Sequence, residues 1–501
     1  MNNVLKYLDI QADRLPEKTA FADETSAVTF KELKDASDKI GSELIRCSCE
    51  KKPVPLLLDK SVLTVQIMMG VVRSGGFYII LDPAQPIARL NSILDTLEAE
   101  VLITTKEHAD YALQLSFSGK LIYADEFLDK AVDETLLSMV EKEHVDTDPL
   151  YVLFTSGSTG IPKGVVVSHR SVIDFIDVFT IQFDITEDDV LGNQAPFDFD
   201  VSVKDIYSAL AVGATVQLIS KDYFSVPVRL MDFLDDRKVT NLTWAVSALT
   251  MLSIFDALSY KKPSSIKRIM FSGETMPVKH LNYWKSYYPE ARFVNLYGPT
   301  EITCNCTYYE INRDFSAGEK IPIGQAFPNE KVFLLDEEDK EVTKTGVEGE
   351  ICVSGTALAL GYYNNPDQTA KAFVKNPLND KWTETIYRTG DLAYYDENME
   401  LCFTSRKDFQ IKHMGHRIEL LEIECALEKI DEIKRSCCVF DEKRNKIVCF
   451  YQGDIDKKKI VKEARKYLQD FMIPNVFRKM DELPITANGK IDRKLLKSSL
   501  I

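Results

Sequence analysis

The sequence predicts an α/β protein: a large N-terminal α/β region with mixed sheets, followed by a small, mobile C-terminal α+β domain. Three observations lead there. The chain is 501 residues long, more than one ordinary hydrophobic core serves. Short apolar, β-rich runs at 55–58, 77–81, 101–104, 215–219, 269–272 and 293–296 alternate with amphipathic helical stretches, the pattern of layered strands and helices. A change of composition at the SRKD of residues 405–408 separates one β-rich run from another and divides the chain into 1–405 and 406–501.

In chain order, the opening MNNVLKYLDIQADRLPEK is polar and amphipathic. It lacks a basic n-region and an apolar h-region, so no signal peptide is predicted and a cytoplasmic location is expected. The longest apolar run, 62–72, contains Thr64 and Gln66 and stops at Arg73, short of the roughly 20 residues of a membrane span. Runs 151–154 and 165–167 read as strands on either side of a polar loop. In the second unit, Ile418, Leu421, Ile423, Leu427 and Ile430 recur at helical spacing. Strand-like 437–440 and 447–451 follow, then a helix over 456–468. No repeat or low-complexity segment interrupts this order.

Hydrophobic content of 45% and charged content of 28% are ordinary for a globular chain. A net charge of −16 argues against nucleic acid or an anionic membrane as partner. The ten cysteines are scattered, which reads as reduced, mostly buried thiols. Cys47/Cys49 and Cys304/Cys306 have no histidine nearby to complete a zinc site.

Residues 155–164 hold four hydroxyls, three glycines and one lysine. That composition makes a poor core and a good phosphate cradle, since glycine lets backbone N–H groups converge on an anion. It is not the P-loop of nucleotide triphosphatases, because Lys163 precedes Gly164 and a strand-like run follows instead of a helix. In NLYGPTE (295–301), Tyr297 can stack on a purine and Glu301 can hold Mg²⁺ through oxygen, or the segment is a strand-to-turn corner with a solvated carboxylate. In YRTGD (387–391), Asp391 suits a pair of ribose hydroxyls, or forms an Asx turn. In NGKID (488–492), the Asn488-Gly489 turn presents Lys490 at a tip, as a working group or as a solvated side chain. In FDVS (199–202), Asp200 is either a buried carboxylate that needs a cation or a helix N-cap.

In this order the motifs resemble the adenylate-forming superfamily of acyl-CoA synthetases, luciferases and peptide-synthetase adenylation domains. The resemblance implies that Thr155, Ser156, Gly157, Ser158, Thr159 and Lys163 hold the phosphates of ATP. It implies that Gly273, Glu274, Asn295, Tyr297, Gly298 and Thr300 surround the nucleotide, with Asp391 on the ribose, Arg406 beside it and Mg²⁺ on Glu301. It makes Lys490 the catalytic lysine, Asp408 the hinge, and Gly415 the point of approach to a thiol acceptor. Ser405 and Leu421 replace two glycines usual in that hinge region. The Gly75-Gly76-Phe77-Tyr78 segment with Asp82, Pro83 and Pro86 is more similar to the amino-acid-activating branch.

In that branch Asp200 would pair with the substrate α-ammonium. The pocket would be walled by Val201, Lys204, Thr243, Met270, Ser272, Leu296, Cys304 and Asn305. An inward Lys204 asks for an acidic or polar side chain; otherwise it turns outward or pairs with Asp205. The implied function is ATP-dependent conversion of an amino acid to aminoacyl-AMP, then transfer to the phosphopantetheine thiol of a separate carrier protein. A monomer is expected. D-alanine–carrier protein ligases share the FDxSVxDxY, DFQIK and NGK segments, but Lys204 and Ser272 weigh against them. An acyl- or aryl-CoA ligase is disfavoured by Asp200.

Overall fold

A computed structural model describes residues 1–157, 161–316, 318–407, 409–485 and 491–500. Among them, two large mixed sheets dominate the first unit. One runs, in spatial order, Gln325–Ala326, Thr307–Glu310, Arg292–Tyr297, Arg268–Ser272, Asn241–Ala245, Val190–Asn193, Thr215–Leu218, Thr19–Ala22 and Ala27–Thr29. The other runs Gly361–Tyr362, Lys163–Ser168, Pro149–Thr155, Phe77–Leu81, Pro53–Leu57, Val101–Thr104 and Lys120–Tyr123. Each is parallel at its centre and antiparallel toward an edge.

The strands read as unbroken apolar runs because both faces are covered. Leu56 and Ile80 enter a core shared by the two sheets, while Leu57, Ile79 and Leu81 face the opposite side. Met270 and Val294 share the central core; Ile269, Phe271 and Phe293 face outward to a second one. Helices Phe30–Arg46, Val62–Arg73, His169–Gln182 and Val201–Val212 contribute to the central core. Their starts follow local chemistry: Thr29 and Glu32 form a capping box, and Ser61 and Ser168 cap the next two. The apolar 62–72 run is the Val62–Arg73 helix, buried among these layers. Among the described residues no helix is long and apolar enough to cross a membrane.

A third sheet comprises Glu330–Leu335, Gly349–Gly355, Thr385–Tyr395, Phe373–Lys375 and Leu401–Arg406. Arg406 is a register partner of Asp391 in it, so the sheet extends one residue past the expected boundary at 405. The remaining chain forms the hairpin Gln410–His413/His416–Glu419, helices Leu420–Leu427 and Lys457–Ala464, and a sheet of Ile433–Asp441, Lys446–Gly453 and Val476–Lys479. The expected helix over 418–430 therefore starts late. Met414 (φ 53°) and Gly415 (φ 81°) turn the chain back, and Ile418 pairs with Ile411 in the hairpin. Among the described residues all ten cysteines are unpaired, eight of them buried.

One buried pair carries a pH signature. His144 and His169 meet edge to face at 4.4 Å between ring centroids, and the Val4 N–H donates to His169 Nδ1. Burial pushes both imidazoles below their ordinary pKa, so the folded chain keeps them neutral. Below about pH 6.5 the unfolded chain binds a proton that folded His169 refuses, so stability is full above that pH and falls as pH drops, by about 1.4 kcal/mol per unit. Urea midpoints from pH 7 to 5 are expected to fall more steeply for the wild type than for His169→Gln. Equal slopes would contradict this account.

Candidate functional site

Strand Pro149–Thr155 delivers Thr155 opposite Lys163, so the polar loop springs from two paired residues. Gly157 has no room for a side chain: a Cβ there would lie 1.9 Å from the Ile161 carbonyl oxygen. Thr155 Oγ1 is buried with no hydrogen bond among the described residues, an unspent donor of the kind a phosphate would use. Ser156 Oγ donates to the Arg417 carbonyl (2.9 Å). Ser158 and Thr159 lie outside the described residues, as do Asp408 and Lys490.

Glu301 is fully buried. Its Oε2 accepts from Arg417 Nη1 (2.7 Å), and its Oε1 accepts from the Tyr362 hydroxyl (2.8 Å) with Lys163 Nζ at 3.4 Å. Burial alone would raise this carboxyl, but the Arg417 and Lys163 charges hold it well below the usual range. Mg²⁺ asks for free oxygen ligands. Both oxygens of Glu301 are spent here, and no group of three metal-ligating side chains gathers among the described residues. The ion does not fit this arrangement.

The nucleotide candidates from three segments do meet. Tyr297 donates its hydroxyl to Asp391 Oδ2 (2.5 Å), and Arg406 Nη1 donates to Asp391 Oδ1 (2.5 Å). Lys412 Nζ lies 5.3 Å from the Tyr297 ring centroid. Asn295 spends its side-chain amide on the Pro322 carbonyl, a structural bond. A Cβ on Gly298 would strike Asn305 Cα at 2.5 Å, so this glycine admits the 303–306 segment. Glu274 Oε1 accepts from the Gly415 N–H (2.7 Å), and Gly273 has φ 95°. Thr300 donates instead to Asp200 Oδ2 (2.7 Å).

Asp200 precedes helix Val201–Val212 but makes no side-chain cap bond, which sets aside the N-cap reading of its position. Burial pushes its carboxyl up, opposed by the Thr300 hydroxyl and the Lys204 charge. Lys204 points inward and is 1% exposed, with Nζ donating to Asn305 Oδ1 (2.7 Å). Burial lowers its pKa, against the opposing pull of Cys304, Asp200 and Asp205. The Cys304 thiol donates to the Asp200 carbonyl. Thr303 and Cys304 both have positive φ (50° and 77°), strain that persists only where the surroundings enforce it.

A cleft of about 2320 Å³ runs between the units. Phe199, Val201, Gly273, Glu274, Asn295, Leu296 and Tyr297 line it from one side, Lys412, Gly415 and His416 from the other. The expected pocket wall is only partly present. Lys204, Thr243, Met270, Ser272, Cys304 and Asn305 are buried and do not border the cleft. The Lys204–Asn305 and Cys304–Asp200 bonds close the structure behind Val201 and Leu296. Residues given no site role from the sequence also take part: Tyr362 and Arg417 on Glu301, Lys412 on Tyr297, and a buried Arg89–Glu422 pair (2.9 Å) across the units.

Residues 8–363 match the family model described as AMP-binding enzyme, and the chain belongs to that family. It is 31% identical over 504 residues to zwittermicin A synthase ZmaJ of Bacillus cereus, spanning 98% of this chain and 94% of that protein. It is 30% identical over 500 residues to tyrocidine synthase 1 of Brevibacillus parabrevis, spanning 99% of this chain but 45% of that protein. In structure it is similar to AB3403, a four-domain nonribosomal peptide synthetase bound to AMP and glycine, with 26% identity and a TM-score of 0.72 over 99% of this chain and 36% of that one. The chain thus spans less than half of two of these three relatives.

Proposed function

We propose that this AMP-binding enzyme activates an α-amino acid with ATP. A substrate carboxylate oxygen attacks the α-phosphorus, the bond to the bridging oxygen breaks, and pyrophosphate leaves with that electron pair. The aminoacyl-AMP then passes its acyl group to the phosphopantetheine thiol of a separate carrier protein. A sulfur–carbon bond forms, AMP departs, and the thiol proton is released.

The observation that carries the amino-acid reading is Asp200. It is a half-buried carboxylate beside cleft-lining Val201, and its hydrogen-bond partner is the neutral Thr300 hydroxyl. Such a carboxylate is favoured by a cation, and an α-ammonium supplies one. Around it, Thr155, Ser156, Gly157 and Lys163 would take the phosphates, and Tyr297, Asp391 and Arg406 the nucleoside. Magnesium would reach Glu301 only with Arg417 gone. Val201 and Leu296 favour a short side chain, and Lys204 is the source of any preference for an acidic or polar one.

Amino-acid-dependent ATP–pyrophosphate exchange over a panel of D- and L-amino acids tests this. Exchange is expected with short α-amino acids and not with acids lacking the α-amino group; Lys204→Ala is expected to lose acidic or polar preference. Exchange with D-alanine alone would replace this reading by a D-alanine–carrier protein ligase. Use of coenzyme A in place of a phosphopantetheinylated carrier would replace it by a CoA ligase.

A further inference from the structure

The strained turn at Thr303–Cys304 holds Asp200 from behind, since the Cys304 thiol donates to the Asp200 carbonyl at 2.9 Å. Buried Ala357, just past strand Gly349–Gly355, braces that turn: its carbonyl accepts from the Thr303 hydroxyl at 2.7 Å. The Ala357 N–H in turn donates to Glu330 Oε1 at 2.9 Å. Glu330 opens strand Glu330–Leu335, and its seat is shaped for a carboxyl. A Cβ on Gly355 would lie 2.5 Å from Glu330 Oε2, so only glycine leaves that oxygen room. Oε2 itself is buried with no hydrogen bond among the described residues.

We propose that Glu330 is a positioning residue for the amino-acid site, acting through Ala357 on the Thr303–Cys304 turn that holds Asp200. Left-handed backbone is costly at a β-branched threonine, so a turn with Thr303 at φ 50° relaxes unless neighbouring bonds hold it. Glu330 fixes the Ala357 backbone, Ala357 fixes the Thr303 hydroxyl, and the turn so held keeps Cys304 on Asp200. None of these bonds reaches Tyr297, Asp391 or Arg406, so the effect falls on the amino acid and not on the nucleoside. This inference rests on the adenylation reading, with Asp200 on the substrate α-ammonium.

The electrostatics make this seat sensitive to pH. Burial pushes the Glu330 carboxyl up to about 8, opposed by the Ala357 N–H and aided by Asp174 of helix His169–Gln182. The buried Cys306 thiol also faces it, raised by burial first and by Glu330 next. Among the described residues no cation pairs with Glu330. A seated Glu330 is therefore a neutral acid at pH 7, whereas one released to water ionises in the ordinary carboxylate range. Seating is favoured most at low pH and weakens as pH rises toward about 8, where the seated group also ionises and the effect levels off.

ATP–pyrophosphate exchange by the full chain, with KM measured separately for ATP and for the amino acid giving the fastest exchange, tests it. Glu330→Ala is expected to raise the amino-acid KM about fivefold, the worth of one buried hydrogen bond, and to leave the ATP KM unchanged. Glu330→Gln keeps an acceptor oxygen without a titrating group, so it should restore the amino-acid KM at pH 7. The amino-acid KM of wild type divided by that of Glu330→Gln should climb toward about pH 8 and then level off. Titration of the substrate α-ammonium is common to both chains and cancels in this ratio. An unchanged amino-acid KM in Glu330→Ala, or two KM values that rise together, would overturn the positioning role. Should Glu330→Ala fail to fold, the ratio decides alone: a climb supports the role and a flat profile overturns it. No exchange by wild type with any amino acid would remove the adenylation reading and this proposal with it; normal wild-type exchange with either failure above overturns the proposal alone.

Discussion

Replacing Lys490 by alanine is expected to lower amino-acid-dependent ATP–pyrophosphate exchange by about 10²–10³, while the folded chain persists. Negative charge builds between the substrate carboxylate and the α-phosphate as the acyl–phosphate bond forms. A positioned ammonium lowers the energy of that state more than that of the ground state, and this difference sets the rate. Lys490 follows Asn488-Gly489, a pair that favours a tight turn and places the next side chain at its tip. The proposed role belongs to the first half-reaction, so transfer from supplied aminoacyl-AMP to a carrier thiol is expected to survive the substitution. Thermal unfolding of the variant should match wild type. Exchange near the wild-type rate would remove Lys490 from the chemistry, and loss of both half-reactions together would make it structural.

What the sequence disclosed follows from how each feature is encoded. Strands such as Phe77–Leu81 were legible because residues facing both cores are apolar, which leaves a continuous signal. The loop at 155–164 stood out by composition, and at Gly157 the structure gives a steric reason for glycine: its Cβ would meet the Ile161 carbonyl. Asp200 at the start of helix Val201–Val212 could be read as a cap, and only the Thr300 bond across the chain shows where its side chain goes instead. Pairs such as Arg417–Glu301 and Arg89–Glu422, separated by 116 and 333 residues, leave no local pattern at all. What closes the structure behind Val201 and Leu296 was hidden for the same reason. Lys204 meets Asn305 across 101 residues, and that bond sets what stands behind Val201 and Leu296. The helix start moved because Met414-Gly415 makes a hairpin turn, which outweighs the apolar spacing that follows.

Glu301→Gln is expected to destabilise the protein by roughly 3–5 kcal/mol, the usual result of removing one partner from a buried ion pair. The amide keeps the shape and can still accept from the Tyr362 hydroxyl, so the change isolates charge. Two cations lose their counter-charge. Arg417 can escape if the C-terminal unit leaves, but Lys163 belongs to the large sheet and stays near the site, 12% exposed at its side chain. Burial already lowers the Lys163 pKa, and Glu301 is the largest opposing influence. Its ammonium should therefore lose protons more readily in the variant. Combining Glu301→Gln with Arg417→Met should recover part of the loss, because a buried cation is removed along with its anion. Chemical denaturation of the two single variants and the double variant measures this coupling. A Glu301→Gln chain as stable as wild type, or a double variant whose losses simply add, would mean that Glu301 and Arg417 are not energetically joined. The docked arrangement would then need another source of its stability.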